Sequence, residues 1–106
     1  MKRTYDAEKY GYLVNAREEF ELTEWFKIPP KRLYHCTAWY YTDRYGWVWL
    51  KSYNTIVAVY VPEDDTVYSF GRYSSTTYQH VRKFRNMMPN YYNTKEVNIE
   101  YENWYN

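Results

Sequence analysis

The chain has little cysteine, little glycine and no long apolar run in its 106 residues. Its one cysteine, Cys36, cannot form an internal disulfide, which is typical of a reducing compartment. No run of about 18 apolar residues is present, so the sequence excludes a membrane-spanning helix. The first six residues lack the apolar segment of a secretory signal. We therefore expect a cytoplasmic protein that folds as a single domain over residues 1–106.

A strong net charge is also missing. The chain carries 14 Lys+Arg and 13 Asp+Glu, which leaves a formal net charge of +1. That balance provides no overall field to attract nucleic acid or an anionic membrane. The charge is uneven, however, because residues 71–88 contain four basic residues and no acidic one. We expect a dipolar molecule with one basic helix.

Motifs for catalysis or cofactor binding are not present either. The three glycines stand apart, so no glycine-rich phosphate loop is formed. His35 and Cys36 are neighbours on a predicted strand and would point to opposite faces, so only His80 could reach the thiol through the fold. One cysteine and two distant histidines lack a zinc spacing, and residues 63–65 fit a solvated acidic turn. We expect no enzyme, no catalytic residue, no metal and no cofactor.

Aromatic residues are abundant. Sixteen tyrosines, five tryptophans and four phenylalanines make up 24% of the chain. The core of so small a domain cannot bury all of these rings, so many must lie at the surface. Binding surfaces concentrate tyrosine and tryptophan, because these side chains offer a large contact area at low entropic cost. The alternative is a small core surrounded by half-buried tyrosines that bind nothing.

The N-terminal third predicts helical structure. Residues 5–20 show apolar residues at helical spacing, with Thr4 as a cap and Gly11 as a weak point. A further helical turn is predicted at 23–27, ended by Pro29 and the proline that follows it.

The middle of the chain changes to a strand pattern. Runs rich in aromatic and β-branched residues predict strands at 33–42, 47–51, 54–61 and 66–70. The run 54–61 is the most apolar and predicts a central strand that is buried on both faces. Gly46 suits the turn between the first two strands, because glycine readily adopts a positive φ.

A second helix is predicted over residues 78–88, with a capping hydroxyl among residues 74–77. An edge strand is possible at 97–101. The buried face of this helix is predicted to hold Thr77, Val81, Phe84 and Met88. The fold class is therefore α+β, an antiparallel sheet of four to five strands packed against two helices in a two-layer α-β-β-β-β-α order.

Two polar segments stand out in the sequence: residues 52–58 read SYNTIVA, and residues 71–84 read GRYSSTTYQHVRKF. Together with the hairpin between them, they resemble a family of small uncharacterised proteins from bacteriophages and mobile elements. The resemblance covers residues 52–84, about a third of the chain. It implies an accessory phage protein in the cytoplasm of the host cell, and some phage proteins of this size block host defences, including CRISPR effectors. Within these segments, His80 predicts a structural network with a backbone carbonyl or Tyr53, or else part of a binding site.

Two functions follow as hypotheses. The first is an anti-defence protein that binds and inhibits a host defence protein or ribonucleoprotein, such as a CRISPR effector, by occlusion without catalysis. The second is a single-stranded nucleic-acid-binding protein that stacks bases on strand aromatics such as Trp39, Tyr41, Trp47 and Trp49 beside the basic helix. A homodimer interface is a third use for exposed rings. The predicted partner-binding residues are Tyr45, Trp47, Trp49, Tyr73, Tyr78, Arg82 and Arg85.

Overall fold

The computed structural model describes residues 5–23 and 28–100. Within these residues, two helices and six strands follow one another; the first helix precedes all six strands, and the second lies between the fifth strand and the sixth. In chain order they are α1 (Ala7–Thr23), β1 (Ile28–Arg32), β2 (Ala38–Thr42), β3 (Val48–Ser52), β4 (Thr55–Val61), β5 (Thr66–Ser69), α2 (Ser75–Asn86) and β6 (Lys95–Asn98).

All six strands form one sheet in the order β1-β2-β3-β4-β5-β6. The first five strands are antiparallel neighbours, joined by short connections. Strand β6 instead runs parallel to β5, because α2 carries the chain back along the sheet between them. The predicted α+β class is confirmed, but the sheet has six strands rather than four to five, and one of its pairs is parallel.

The two helices cover opposite faces of the sheet. Tyr10, Leu13 and Phe20 of α1 belong to one buried cluster, with alternate residues of β3, β4 and β5. Val81 and Phe84 of α2 belong to a second cluster on the other face. The prediction of two layers is therefore wrong, and the arrangement has three. The physical reason is β4, which is apolar on both sides and needs a cover on each.

The predicted strand at 33–42 begins later than expected. Only Ala38–Thr42 is a strand, and a tight turn precedes it in which Tyr34 has a φ of 51°. His35 and Cys36 lie in this turn, so the prediction that they point to opposite faces of a strand is wrong. The prolines that were expected only to end a helix belong to β1, which is an edge strand where a missing N–H is tolerated.

Both helices have an identifiable N-terminal cap. The Asp6 carboxylate accepts hydrogen bonds from the backbone N–H groups of Glu8 and Lys9, at 3.1 and 3.3 Å. Ser74 accepts from the backbone N–H of Thr77 at 3.2 Å, which confirms the predicted hydroxyl cap. The predicted buried residues Thr77, Val81 and Phe84 of α2 are buried, and Met88 is buried just after the helix, which ends at Asn86. The predicted cap Thr4 and most of the predicted turn at 23–27 lie outside the described residues.

His80 joins α2 to the end of β3. Its Nδ1 lies 2.8 Å from the Ser52 hydroxyl, which also lies 3.2 Å from the Thr77 hydroxyl. The Tyr53 ring contacts the imidazole at a centroid distance of 6.0 Å. The partner of the imidazole nitrogen is thus a serine, and Tyr53 contributes only a ring contact. Ser52 and His80 are both buried, and their contact connects the helix to the sheet.

The buried histidine predicts a specific dependence of stability on pH. Burial lowers the pKa of His80 below its usual 6.5, and the charge of Lys83 lowers it further. As the pH falls below about 6.5, the His80 imidazole is therefore protonated in the unfolded chain before it is protonated in the folded chain. The free energy of unfolding decreases over this range, until the pH passes the pKa of the folded state. We expect His80→Gln to remove this decrease, at a cost of about 1 kcal/mol at pH 7.5 from the altered hydrogen bond. Urea denaturation between pH 7.5 and pH 5 measures both effects.

His35→Gln is the matched control, because His35 is exposed in the turn after β1. This variant should keep the slope of the parent chain. An unchanged slope in His80→Gln would contradict the assignment of the pH dependence to His80.

Candidate functional site

The turn between β2 and β3 is organised by one buried carboxylate. Asp43 Oδ1 accepts hydrogen bonds from the backbone N–H groups of Tyr45 and Trp47, at 2.8 and 3.0 Å. Its Oδ2 accepts from the indole Nε1 of Trp49 at 2.9 Å. Gly46 completes the turn with a φ of 85°, a conformation that glycine adopts without strain. The carboxylate therefore fixes both the turn and the ring behind it.

Trp49 lies in the core and not on the surface. Only 1% of it is exposed, and its ring stacks on Phe20 of α1 at 5.2 Å and on Phe70 at 6.3 Å. The prediction that Trp49 belongs to a contact surface is therefore wrong. Alternate residues of β3 face α1, so the Trp49 side chain points toward this helix, where the Phe20 ring covers it.

An apolar groove of about 490 Å³ lies between α1 and this turn. Its floor is aromatic, and its rim carries Glu19 and Arg44. The Arg44 guanidinium lies 3.7 Å from the Glu19 carboxylate and 4.9 Å from the centroid of the Tyr45 ring. The residues that line the groove are Ala16, Glu19, Phe20, Thr23, Asp43, Arg44, Tyr45, Trp47 and Trp49.

A second concavity of about 440 Å³ adjoins the groove, and we call it the aromatic pocket. Tyr45 and Trp47 line both concavities, so they form the ridge between them. Tyr12 of α1 meets Trp47 edge-on at 6.4 Å. The residues that line the aromatic pocket are Tyr12, Tyr45, Trp47, Val61, Glu63 and Asp64.

The two carboxylates of the aromatic pocket are held by hydrogen bonds. The indole Nε1 of Trp47 donates to Glu63 Oε2 at 3.1 Å, and the Tyr68 hydroxyl donates to Asp64 Oδ2 at 2.7 Å. Burial raises the pKa of the Tyr12 hydroxyl, and the charge of Asp64 raises it further. Tyr12 thus stays neutral, and the negative charge of the pocket comes from its carboxylates.

The predicted contact residues divide between the two faces of the sheet. Tyr45 is 65% exposed and Trp47 is partly buried, and both lie on the α1 side. The four others lie on α2 or just before it, and α2 packs on the opposite face. These four are Tyr73, Tyr78, Arg82 and Arg85. The single surface expected from the sequence is therefore two separate surfaces.

The α2 residues are engaged mainly in contacts within the chain. Arg85 donates to the backbone carbonyls of Tyr91 and Thr94, at 3.3 and 3.2 Å, and so holds the connection to β6. Arg82 pairs with Glu96 at 3.3 Å, although its side chain stays 67% exposed and lines a concavity of about 320 Å³ together with Tyr78. Tyr78 donates to a backbone carbonyl at 3.3 Å, and its ring lies 6.0 Å from that of Tyr73. The α1 side is consequently the better candidate site.

Tyr12, Glu63 and Asp64 were not predicted as site residues. Tyr12 fits the apolar stripe of α1, and the acidic residues fit a solvated turn. Helix, hairpin and turn are far apart in the chain, and no spacing relates them. Only the packing of α1 across the sheet brings Tyr12, which is 50% exposed, beside Trp47 and the β4–β5 turn.

Within the described residues, no three histidine, cysteine or acidic side chains converge in a way that could hold a metal ion. Among the described helices, neither is long and apolar enough to cross a membrane.

The chain belongs to DUF8033, a family of unknown function, whose family model matches residues 27–105. The match covers about three quarters of the chain and begins after α1. No curated protein and no solved structure matches the chain. The family therefore assigns no activity to either concavity.

The buried carboxylate predicts a large loss of stability on truncation. Asp43→Ala leaves three N–H donors without their acceptor, one of them the buried indole of Trp49. We expect the free energy of unfolding to fall by about 2–4 kcal/mol, measured by urea denaturation. Arg44→Ala in the same turn is the control and should cost less than about 1 kcal/mol, because its ion pair is exposed. Equal losses in the two variants would contradict the organising role of Asp43.

Proposed function

We propose that this DUF8033 chain is a small phage or mobile-element protein that binds a host defence complex and inhibits it by occlusion, as an anti-CRISPR protein would. The observation that carries the proposal is the ridge of Tyr45 and Trp47, which stands between two concavities on the α1 side. The inhibitor needs no chemistry of its own, since covering a functional surface of the partner is sufficient.

The ridge has the physical properties of a binding surface. Tyr45 exposes a large ring to water, and the apolar groove beside it offers further aromatic area. Tyrosine and tryptophan side chains of this kind contribute much of the energy of protein interfaces. The Asp43 hydrogen bonds hold the turn in one conformation before binding, so little entropy is lost on association.

The charge around the ridge favours a basic partner. Glu19, Glu63 and Asp64 line the two concavities, and Arg44 is the one basic residue among the described residues that line them. Proteins that hold nucleic acid, including CRISPR effectors, present positively charged channels. An acidic surface with an aromatic ridge is complementary to such a channel, which supports a defence ribonucleoprotein as the target.

Tyr45→Ala tests the proposal directly. The tagged chain is incubated with host lysate, with and without nuclease, and captured proteins are identified by mass and assayed for inhibition. We expect one defence protein to remain after nuclease and to be inhibited by the parent chain, and Tyr45→Ala to weaken its binding by about tenfold or more, as at other interface hot spots. Tyr92→Ala is the control, because Tyr92 is exposed on the connection between α2 and β6.

Two results would count against the proposal. If no defence complex of the host is bound or inhibited, the anti-defence function is wrong. If a complex is inhibited equally by both tyrosine variants, its binding surface lies elsewhere. Self-association through the same rings stays a prediction, and the solution mass of the purified chain decides it.

Single-stranded nucleic-acid binding is the second candidate, and one observation favours it. Trp39 is 41% exposed, and its cross-strand neighbours are Arg32 on β1 and Lys51 on β3. Directly paired residues lie on the same face of a sheet, so two basic residues flank an exposed indole. A base can stack on such a ring beside cations, although the Arg32 guanidinium also donates to the backbone carbonyls of Cys36 and His35, at 2.9 and 3.5 Å. Trp49 no longer contributes to this candidate, because it is buried.

Oligonucleotide binding at two salt concentrations tests the second candidate. If it is correct, affinity for single-stranded DNA falls steeply between 50 and 200 mM salt, and Trp39→Ala removes about 1–3 kcal/mol of the binding free energy. Tyr45→Ala, on the ridge, should leave this affinity unchanged. Binding that is absent or insensitive to salt would exclude the second candidate.

A further inference from the structure

The aromatic pocket combines three rings with two carboxylates in one concavity. Tyr12, Tyr45 and Trp47 supply the rings, and Glu63 and Asp64 supply the charge. These residues come from α1, from the β2–β3 turn and from the β4–β5 turn. The lining of the apolar groove is different: it is also aromatic, but its acidic residue Glu19 is paired with the basic residue Arg44.

The rings and the carboxylates favour the same kind of ligand. The face of an aromatic ring is electron-rich and attracts a cation, with tryptophan and tyrosine the preferred rings. The carboxylates add a net negative charge, which disfavours an anion such as a phosphate or a nucleic-acid backbone. Among the described residues that line the pocket none is basic, so its charge is not neutralised from within. Arg44 stacks on Tyr45 but lines the apolar groove.

The pocket is also held in shape before any ligand arrives. The bond from the Trp47 indole fixes the Glu63 carboxylate, and the Tyr68 hydroxyl fixes that of Asp64. The edge-on contact with Tyr12 fixes the orientation of the tryptophan ring. A volume of about 440 Å³ falls within the range of pockets that bind small ligands, about 300–1,000 Å³. One aliphatic side chain with a charged end therefore fits.

We propose that the aromatic pocket binds an alkylammonium group, the side chain of a lysine on the partner protein. The ammonium lies against the faces of the aromatic rings and near the Glu63 and Asp64 carboxylates, while the methylene groups contact Val61 and the ring edges. This inference rests on the proposed function, since the partner supplies the lysine. It adds that the partner is recognised by the position of one of its lysines beside the apolar contact that the ridge makes.

Small probes test the pocket without the partner. The purified chain is titrated with Nα-acetyl-lysine methylamide, with its Nε-trimethylated form, and with Nα-acetyl-norleucine methylamide as the uncharged control. Binding is followed by the NMR shift of the Trp47 indole N–H, which reports directly on the pocket. We expect both cations to bind with millimolar affinity, because one cation–π site contributes only about 0.5–2 kcal/mol. The trimethylated form cannot donate a hydrogen bond, so its binding isolates the contribution of the rings and charges.

Two variants separate the roles of charge and ring. Glu63→Gln keeps an acceptor for the Trp47 indole but removes the charge, and it should weaken both cations about fivefold to tenfold. Tyr12→Ala should lose most of the affinity, whereas Tyr92→Ala, an exposed tyrosine that does not line the pocket, should bind like the parent chain. Equal binding of the norleucine control, or no saturable shift with either cation, would overturn the inference.

The inference and the proposed function fail in different ways. If the probes bind but no defence complex is captured, the ammonium site stands and the anti-defence function is wrong. If a complex is captured, and Glu63→Gln and Tyr12→Ala capture it as well as the parent chain does, the function stands and the lysine site is excluded.

Discussion

Strand β4 is apolar on both sides, and the rest of the architecture depends on covering it twice. Ile56, Val59 and Val61 face α1, whereas Val57, Ala58 and Tyr60 face α2. A single helical layer would leave one of these rows in water. Because burial of apolar area is the dominant favourable term in folding, both helices are drawn to the sheet from opposite sides. The position of each helix then decides which surface residues can become neighbours.

On the α1 side this constraint creates the candidate site. Phe20 packs on Trp49, and Trp49 in turn donates to Asp43, so the helix, the strand and the turn are connected through one indole. The same carboxylate holds the backbone from which Tyr45 and Trp47 project. The exposed ridge is therefore supported by a buried polar contact. Such support gives a surface loop the rigidity that recognition at low entropic cost requires.

The two sides of the sheet differ in what they offer to a partner. The α1 side presents the aromatic ridge with an acidic surrounding, and this arrangement suits a basic surface. The α2 side presents basic side chains, but Arg82 and Arg85 are used in contacts that hold β6 and its connection. The acidic residues around the ridge and the basic residues of α2 thus lie on opposite sides of the sheet. That separation is relevant to partner choice, because complementary charge directs encounter and specificity.

Most of the local structure could be predicted from the sequence, because local structure depends on near neighbours. Hydrophobic periodicity identifies α1, β3, β4, β5 and α2, and the capping serine and Gly46 act within a few residues of where they stand. The extra strand β1 was missed, since prolines usually oppose a strand and only its edge position tolerates them. The abundance of rings also indicated a surface rich in tyrosine, although not where it lies.

The tertiary structure alone decided which rings are exposed and which residues meet. The strand pattern does not say which side a helix will cover, so Trp47 and Trp49, two positions apart, could not be separated into surface and core. Tyr12 and Glu63 stand 51 positions apart in the chain, yet they line one pocket. The sequence by itself determined most of the elements and the two apolar faces of β4, because these follow from local spacing. The candidate site required long-range packing, since its residues become neighbours only when α1 lies across the sheet.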